Sequence, residues 1–148
     1  MRPRQTTPVA WMIIADEAGL GMVARLPRGA GLLLLSPVSL GVRKRARRLA
    51  VARGLALVEE SQRIARRVHN SRELREALLQ RPPLILISPL YPTSTHPEWR
   101  PLPRMRAAAL VRLGGRRLLA LGGMNPKRYA GVAALGFSGW AGISAFRT

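Results

Sequence analysis

Four-residue runs of nothing but large aliphatics most constrain this chain. Leu84-Ile85-Leu86-Ile87 and the GLLLLS stretch from Gly31 to Ser36 carry no polar residue on alternate positions. A strand with one wet face would show that alternation; an unbroken apolar run is covered on both faces. Such strands belong to parallel sheets, where the chain must return through a crossover that lays a helix over the sheet.

The rest of the sequence supplies those helices. Val9–Ala15 reads as a first strand, followed by a helix over Glu17–Leu26. The strand at Gly31–Ser36 leads to a helix Gly41–Arg53, whose Val42, Ala46, Leu49 and Ala50 form one apolar stripe. Gly54 stops it, and Leu55–Val58 is a third strand. Ser61–Val68 is ambiguous: a loop with a short strand at its end. Asn70, with Glu73 three residues on, caps a helix Ser71–Gln80 that Pro82-Pro83 ends. The strand Leu84–Ser88, a helix Arg104–Leu113 and a strand Arg117–Leu121 follow. Asn125-Pro126 opens a helix to Leu135, which Gly136 stops, and Phe137–Ile143 is the last strand. Six clear strands and one doubtful one give an α/β protein, either an open doubly wound sheet or a shortened barrel.

At 148 residues and 47% apolar content, the expectation is a single domain spanning 1–148, with a real core. No apolar run approaches the roughly 20 residues that cross a membrane, and Val9–Ala15 is too short for a leader. There is no cysteine, so disulfide and thiolate chemistry are excluded. A cytoplasmic protein fits best. The net charge is +18, almost all of it arginine, which attracts phosphorylated metabolites and nucleic acid alike. The basic run Arg43-Lys44-Arg45 with Arg47-Arg48 lies on an outer helix. Trp99 and Trp140 are not interleaved with it as a stacking platform requires, which argues for a solvated face over a nucleic-acid surface. Carboxylates are scarce: six glutamates and a single aspartate, Asp16. A carboxylate cluster around Mg²⁺ has few candidates.

Three segments at strand ends could carry chemistry. Leu84–Ser88 runs into Ser88-Pro89-Leu90-Tyr91-Pro92-Thr93-Ser94-Thr95-His96-Pro97, a proline-fixed loop with Thr93, Ser94 and Thr95 in succession and His96 beside them. Hydroxyls and free backbone N–H groups there suit a phosphate. Gly122-Gly123 and Gly142-Ile143-Ser144-Ala145 end the next two strands, and glycine lets the backbone approach an anion closely.

These segments, SPLYPTSTHP, LALGGMNP and GWAGISAF, resemble the thiamine-phosphate synthase family, best over residues 84–148. WMIIADE and VHNSREL resemble its first- and fifth-strand segments. The resemblance implies a TIM (β/α) barrel, shortened here by about one βα unit. It implies transfer of an aminopyrimidine from its diphosphate to a thiazole phosphate, with Mg²⁺ and release of pyrophosphate. It further implies that Thr93 and Thr95 meet the diphosphate, that Gly123 and the backbone around Ile143-Ser144 hold the thiazole phosphate, and that Asn70, or His69 before it, faces the pyrimidine; Ser94, His96 (where the family has a lysine) and Gly122 complete the phosphate-binding candidates. The chain departs from the family on the other side. Its second strand lacks the Gln-Arg-Lys pattern that grips the diphosphate. Glu59-Glu60 stand where Asn-Asp helps bind metal, and they are the substitute metal candidates. Val58 to His69 leaves no room for a complete fourth unit. A lost activity, leaving a phosphate-ligand binder, is the alternative, and a basic nucleic-acid-binding protein is another. A barrel short of a strand leaves open edges that a homodimer would cover.

Overall fold

In the computed structural model, residues 8–35, 38–61, 64–93, 97–115 and 118–146 are described. The aliphatic runs form the parallel strands expected of them. β1 (Ala10–Ile14), β2 (Gly31–Leu34), β3 (Ala56–Glu59), β4 (Ala65–Val68), β5 (Leu84–Ile87), β6 (Leu118–Ala120) and β7 (Gly139–Gly142) make one sheet, in the order β3-β2-β1-β7-β6-β5-β4. β1 pairs with β7, so the sheet curls into a nearly closed barrel with one seam, between β3 and β4. The doubtful segment is thus a true strand. Residues 60–64 alone join β3 to β4, whereas a helical crossover needs about a dozen. The missing unit falls at the seam. There the Ser61 N–H donates to the Ala65 carbonyl at 2.9 Å, in an isolated antiparallel bridge.

The helices are α1 (Glu17–Leu20), α2 (Leu40–Arg53), α3 (Ser71–Leu79), α4 (Arg104–Gly114) and α5 (Pro126–Val132). α1 is shorter than the sequence suggests: it ends before Gly21 and resumes as a 3-10 turn at Val23–Arg25. Glycines at 19 and 21 weaken an α-helix enough to permit the break. Likewise α5 stops at Val132 and tightens into a 3-10 turn, Ala133–Leu135, before Gly136 with φ 113°.

Strand alternation sorts the core into three clusters. Met12, Ile14, Leu32 and Leu34 face outward against α1 and α2, with Val42, Ala46 and Ala50. Val68, Ile85, Ile87, Leu118, Ala120 and Trp140 face outward against α3, α4 and α5. Trp11, Ile13, Leu33, Ala65, Leu84, Leu86, Leu119 and Ala141 fill the barrel interior. Trp11 is its plug: it lies so close to β2 that a Cβ on Gly31 would stand 2.2 Å from the indole ring. Among the described residues, no helix is long and apolar enough to cross a membrane.

Candidate functional site

The strands' C-terminal ends bring the three sequence segments together. The loop after β5 lies on the loop after β6: the Leu90 N–H donates to the Leu121 carbonyl (3.0 Å) and the Tyr91 N–H to that of Gly122 (3.1 Å). The contact is backbone on backbone. A Cβ on Gly122 would come 2.7 Å from Pro89 Cα, and one on Gly123 2.3 Å from the Pro92 oxygen. Both glycines have positive φ, 99° and 60°, so no other residue serves here without strain. The β7 end joins the same cluster, since a Cβ on Gly142 would approach the Met124 carbonyl oxygen to 3.3 Å. Beyond it Ile143 is half-buried and accepts the Phe146 N–H at 3.2 Å, and Ser144 opens the 3-10 turn Ser144–Phe146. Phe146 in turn stacks on Trp140, centroids 5.3 Å apart, which accords with Trp140 as core.

Two residues tie this cluster down. Asn125 caps α5, its Oδ1 accepting the Arg128 N–H at 2.8 Å. The Arg128 side chain then folds back over the loop. Its Nη1 donates to the Gly123 carbonyl at 2.6 Å, and its guanidinium lies 4.9 Å from the centre of the Tyr91 ring. The cap was legible in Asn125-Pro126; the Arg128 clamp was not. Its one available signal is that a long cation at the third helical position can reach back over its own cap.

Thr93 is half-buried at the lip of the β5 loop. Ser94, Thr95 and His96 lie outside the described residues. The far end of this loop returns to its start, with the Leu102 N–H on the Pro89 carbonyl at 2.8 Å. That return brings Trp99 edge-on to His69, 5.5 Å between centroids. His69 ends β4. Its Nδ1 is 3.0 Å from Glu73 Oε2, a spacing suited to an Nδ1–H donor, and its backbone N–H donates to the same oxygen at 2.7 Å. Asn70 Oδ1 accepts the Glu73 N–H at 2.8 Å. The capping box therefore forms, displaced by one residue, because Glu73 reaches past Asn70 to His69. Asn70 is thereby engaged as the start of α3.

Glu59 and Glu60 do not converge. Glu59 faces outward with Leu57 and meets two arginines of α2, Arg43 Nε at 3.3 Å and Arg47 Nη2 at 3.2 Å. Glu60 continues the inward series Ala56, Val58 and pairs with Arg67. The single aspartate, Asp16, caps α1 through the Gly19 N–H at 3.0 Å. Among the described residues no three of His, Asp and Glu come together. This donor set does not fit a Mg²⁺ site: hard divalent cations want several free oxygen ligands, and these carboxylates face different ways and are held by arginine or a helix end.

The fold is thus a β/α barrel open at one seam, with the last three strand-end loops joined in one glycine-rich cluster. Residues 40–146 match the family described as thiamine monophosphate synthase, and the chain belongs to that family. Among solved structures it is similar to a thiamine phosphate pyrophosphorylase from Pyrococcus furiosus. The TM-score is 0.76 at 14% identity, covering 97% of this chain and 89% of that one. A structure titled native KDPGal shares the general fold more loosely, at TM-score 0.50 and 14% identity, over 90% of this chain and 82% of that one. No curated protein sequence matches.

Proposed function

We propose that this chain binds a thiazole phosphate in the cluster of the β5, β6 and β7 loops and couples it to an aminopyrimidine diphosphate. The observation that carries the reading is the interlock of Gly122 and Gly123 against Pro89 and Pro92. It fixes the backbone of the two strand-end loops against each other, under the Arg128 clamp, at the barrel face where such folds hold phosphate. Family membership supplies the reaction. The methylene C–O bond of the pyrimidine breaks with its electron pair leaving on pyrophosphate. The thiazole nitrogen lone pair then forms the C–N bond.

The protein's part in this is to orient two anionic substrates and to balance charge on the leaving group. Gly122, Gly123, Ile143 and Ser144 would hold the thiazole phosphate. Thr93, with Ser94, Thr95 and His96, would meet the diphosphate. His69, its Nδ1 committed to Glu73, would offer Nε2 toward the pyrimidine. The site would then act as a cytoplasmic biosynthetic one on phosphorylated small molecules.

The test is to incubate the purified protein with both substrates, with and without Mg²⁺, and to assay thiamine phosphate. Product that falls at least tenfold in Thr93→Ala supports the reading. A second reading, a binder without turnover, is favoured by the engagement of Glu59 and Glu60 with arginine. It expects thiazole phosphate to bind and no product to form under either condition.

A further inference from the structure

Strand alternation leaves the inward positions of the barrel almost wholly apolar. From β1 to β7 they are Trp11, Ile13, Leu33, Ala56, Val58, Ala65, Leu84, Leu86, Leu119 and Ala141. Among the described residues, two charged side chains join this inward series, and both stand at the seam. Arg67 follows Ala65 on β4, and Glu60 follows Val58 at the end of β3. Each meets the other. Arg67 Nε lies 2.6 Å from Glu60 Oε2, and Nη2 donates to Oε1 at 3.3 Å. The shorter contact is off the line of the N–H, so it is ionic, and Oε2 is buried with no hydrogen bond of its own. The neighbouring Arg66 points the other way, 3.7 Å from Glu76 of α3 on the outer surface.

The two partners differ in exposure. The Glu60 side chain is 13% exposed and that of Arg67 is 40%. A nearly buried carboxylate needs its counter-ion. A guanidinium with five donors and an open side has donors left for a second anion. Arg67 sits one residue below the end of β4, level with Leu86 of β5, two residues before the loop that starts at Ser88. It therefore lies on the inward face of the seam strand, beside the strand that feeds the hydroxyl loop.

We propose that Arg67, held in place by Glu60, is the cation that receives the diphosphate end of the substrate, and that this half of the site binds pyrophosphate without a divalent metal. This rests on the reading of the site given above. A fixed guanidinium offers planar, paired donors to phosphate oxygens. Glu60 sets a limit on it: its carboxylate competes with the incoming anion for the same guanidinium, so removing the Glu60 charge strengthens anion binding.

The probe is inorganic pyrophosphate, measured by titration calorimetry in EDTA and again in Mg²⁺. Expected are binding in EDTA, and an affinity that Mg²⁺ changes less than twofold. Arg67→Ala weakens it at least tenfold, Arg66→Ala less than twofold, and Glu60→Gln strengthens it severalfold. Because Arg67→Ala strands a buried carboxylate, the double variant Glu60→Gln/Arg67→Gln is measured beside it. It removes both charges, keeps the fold by circular dichroism, and does not bind pyrophosphate. Binding that requires Mg²⁺, no binding at all in EDTA, or full affinity in the folded double variant overturns the proposal. Thiazole phosphate, titrated on the same proteins, separates the two readings. If it binds normally while pyrophosphate fails, the Arg67 proposal falls alone. If it fails while pyrophosphate behaves as expected, the glycine-cluster reading falls and Arg67 stands.

Discussion

The β5–β7 side and the β3–β4 seam solve the same problem, fixing strand ends around a mouth, in opposite ways. At β5–β7 the backbone does it. Loops touch through glycines with positive φ, and the Gly123 carbonyl is clamped by Arg128. At the seam an isolated bridge, Ser61 to Ala65, replaces a strand ladder, and charged side chains do the rest: Glu60 reaches across to Arg67 inside, while Glu59 ties the end of β3 to Arg43 and Arg47 of α2 outside. Backbone interlock tolerates no added atom but is indifferent to salt. The outer pairs of Glu59, part-exposed on both sides, tolerate substitution and weaken with salt. The difference assigns rigid geometry to one half of the mouth and adjustable charge to the other.

The largest expected effect is on the rigid side. Gly123→Ala forces a side chain into φ 60° and against the Pro92 oxygen. Positive φ and overpacking together should cost about 3 kcal/mol by urea denaturation. Glu59→Gln, at the seam, should cost under about 1 kcal/mol, since its partners are half-exposed. Equal losses would erase the contrast. A second steric probe lies deeper. Gly31→Ala drives a methyl into the Trp11 ring and should cost about 2 kcal/mol, with a shifted Trp fluorescence as the plug moves.

The helix caps sharpen the contrast further. Asn125 and Asn70 make the same bond, Oδ1 to the N–H three residues on, at 2.8 Å in both cases. Each Asn→Ala should therefore cost about 1 kcal/mol in a melt. Their effects on ligand should differ. Asn125 starts the helix that carries Arg128, so its loss should weaken thiazole phosphate severalfold. Asn70→Ala should leave that affinity within twofold. Matching losses would mean that Arg128 does not position the glycine turn.

Much of this fold was written in local pattern. Continuous aliphatic runs gave buried parallel strands, and Asn-Pro gave a capped helix, because both follow from short-range geometry. The short β4 was ambiguous because Ala65-Arg66-Arg67-Val68 has two arginines where the paired β5 has Ile85 and Leu86. Only the seam explains them: one faces out to Glu76 and one in to Glu60. The choice between open sheet and barrel rested on the β1–β7 pairing, a contact between the two ends of the chain that no local window contains. At the site, the glycines and hydroxyls were legible as residue types. The Arg128 clamp and the partners of Glu59 and Glu60 were not, since long side chains choose among carbonyls and carboxylates only once the strands are in register.

The smallest expected effect is a pH dependence confined to the rigid side. Tyr129, on α5, donates its O–H to the Phe137 carbonyl at 3.1 Å, tying the helix to the chain just before β7. Burial raises its pKa above the ordinary 10.0. The folded protein therefore keeps this proton at a pH where the unfolded chain has begun to lose it. The stabilisation is complete below about pH 10 and is lost as pH climbs from there through the folded value. Tyr129→Phe removes both the titration and the bond. Its stability, measured from pH 8 to 11, should start slightly below that of the native sequence and fall less steeply above 10. If the two profiles stay parallel, Tyr129 does not ionise with the fold, and alkaline weakening arises elsewhere.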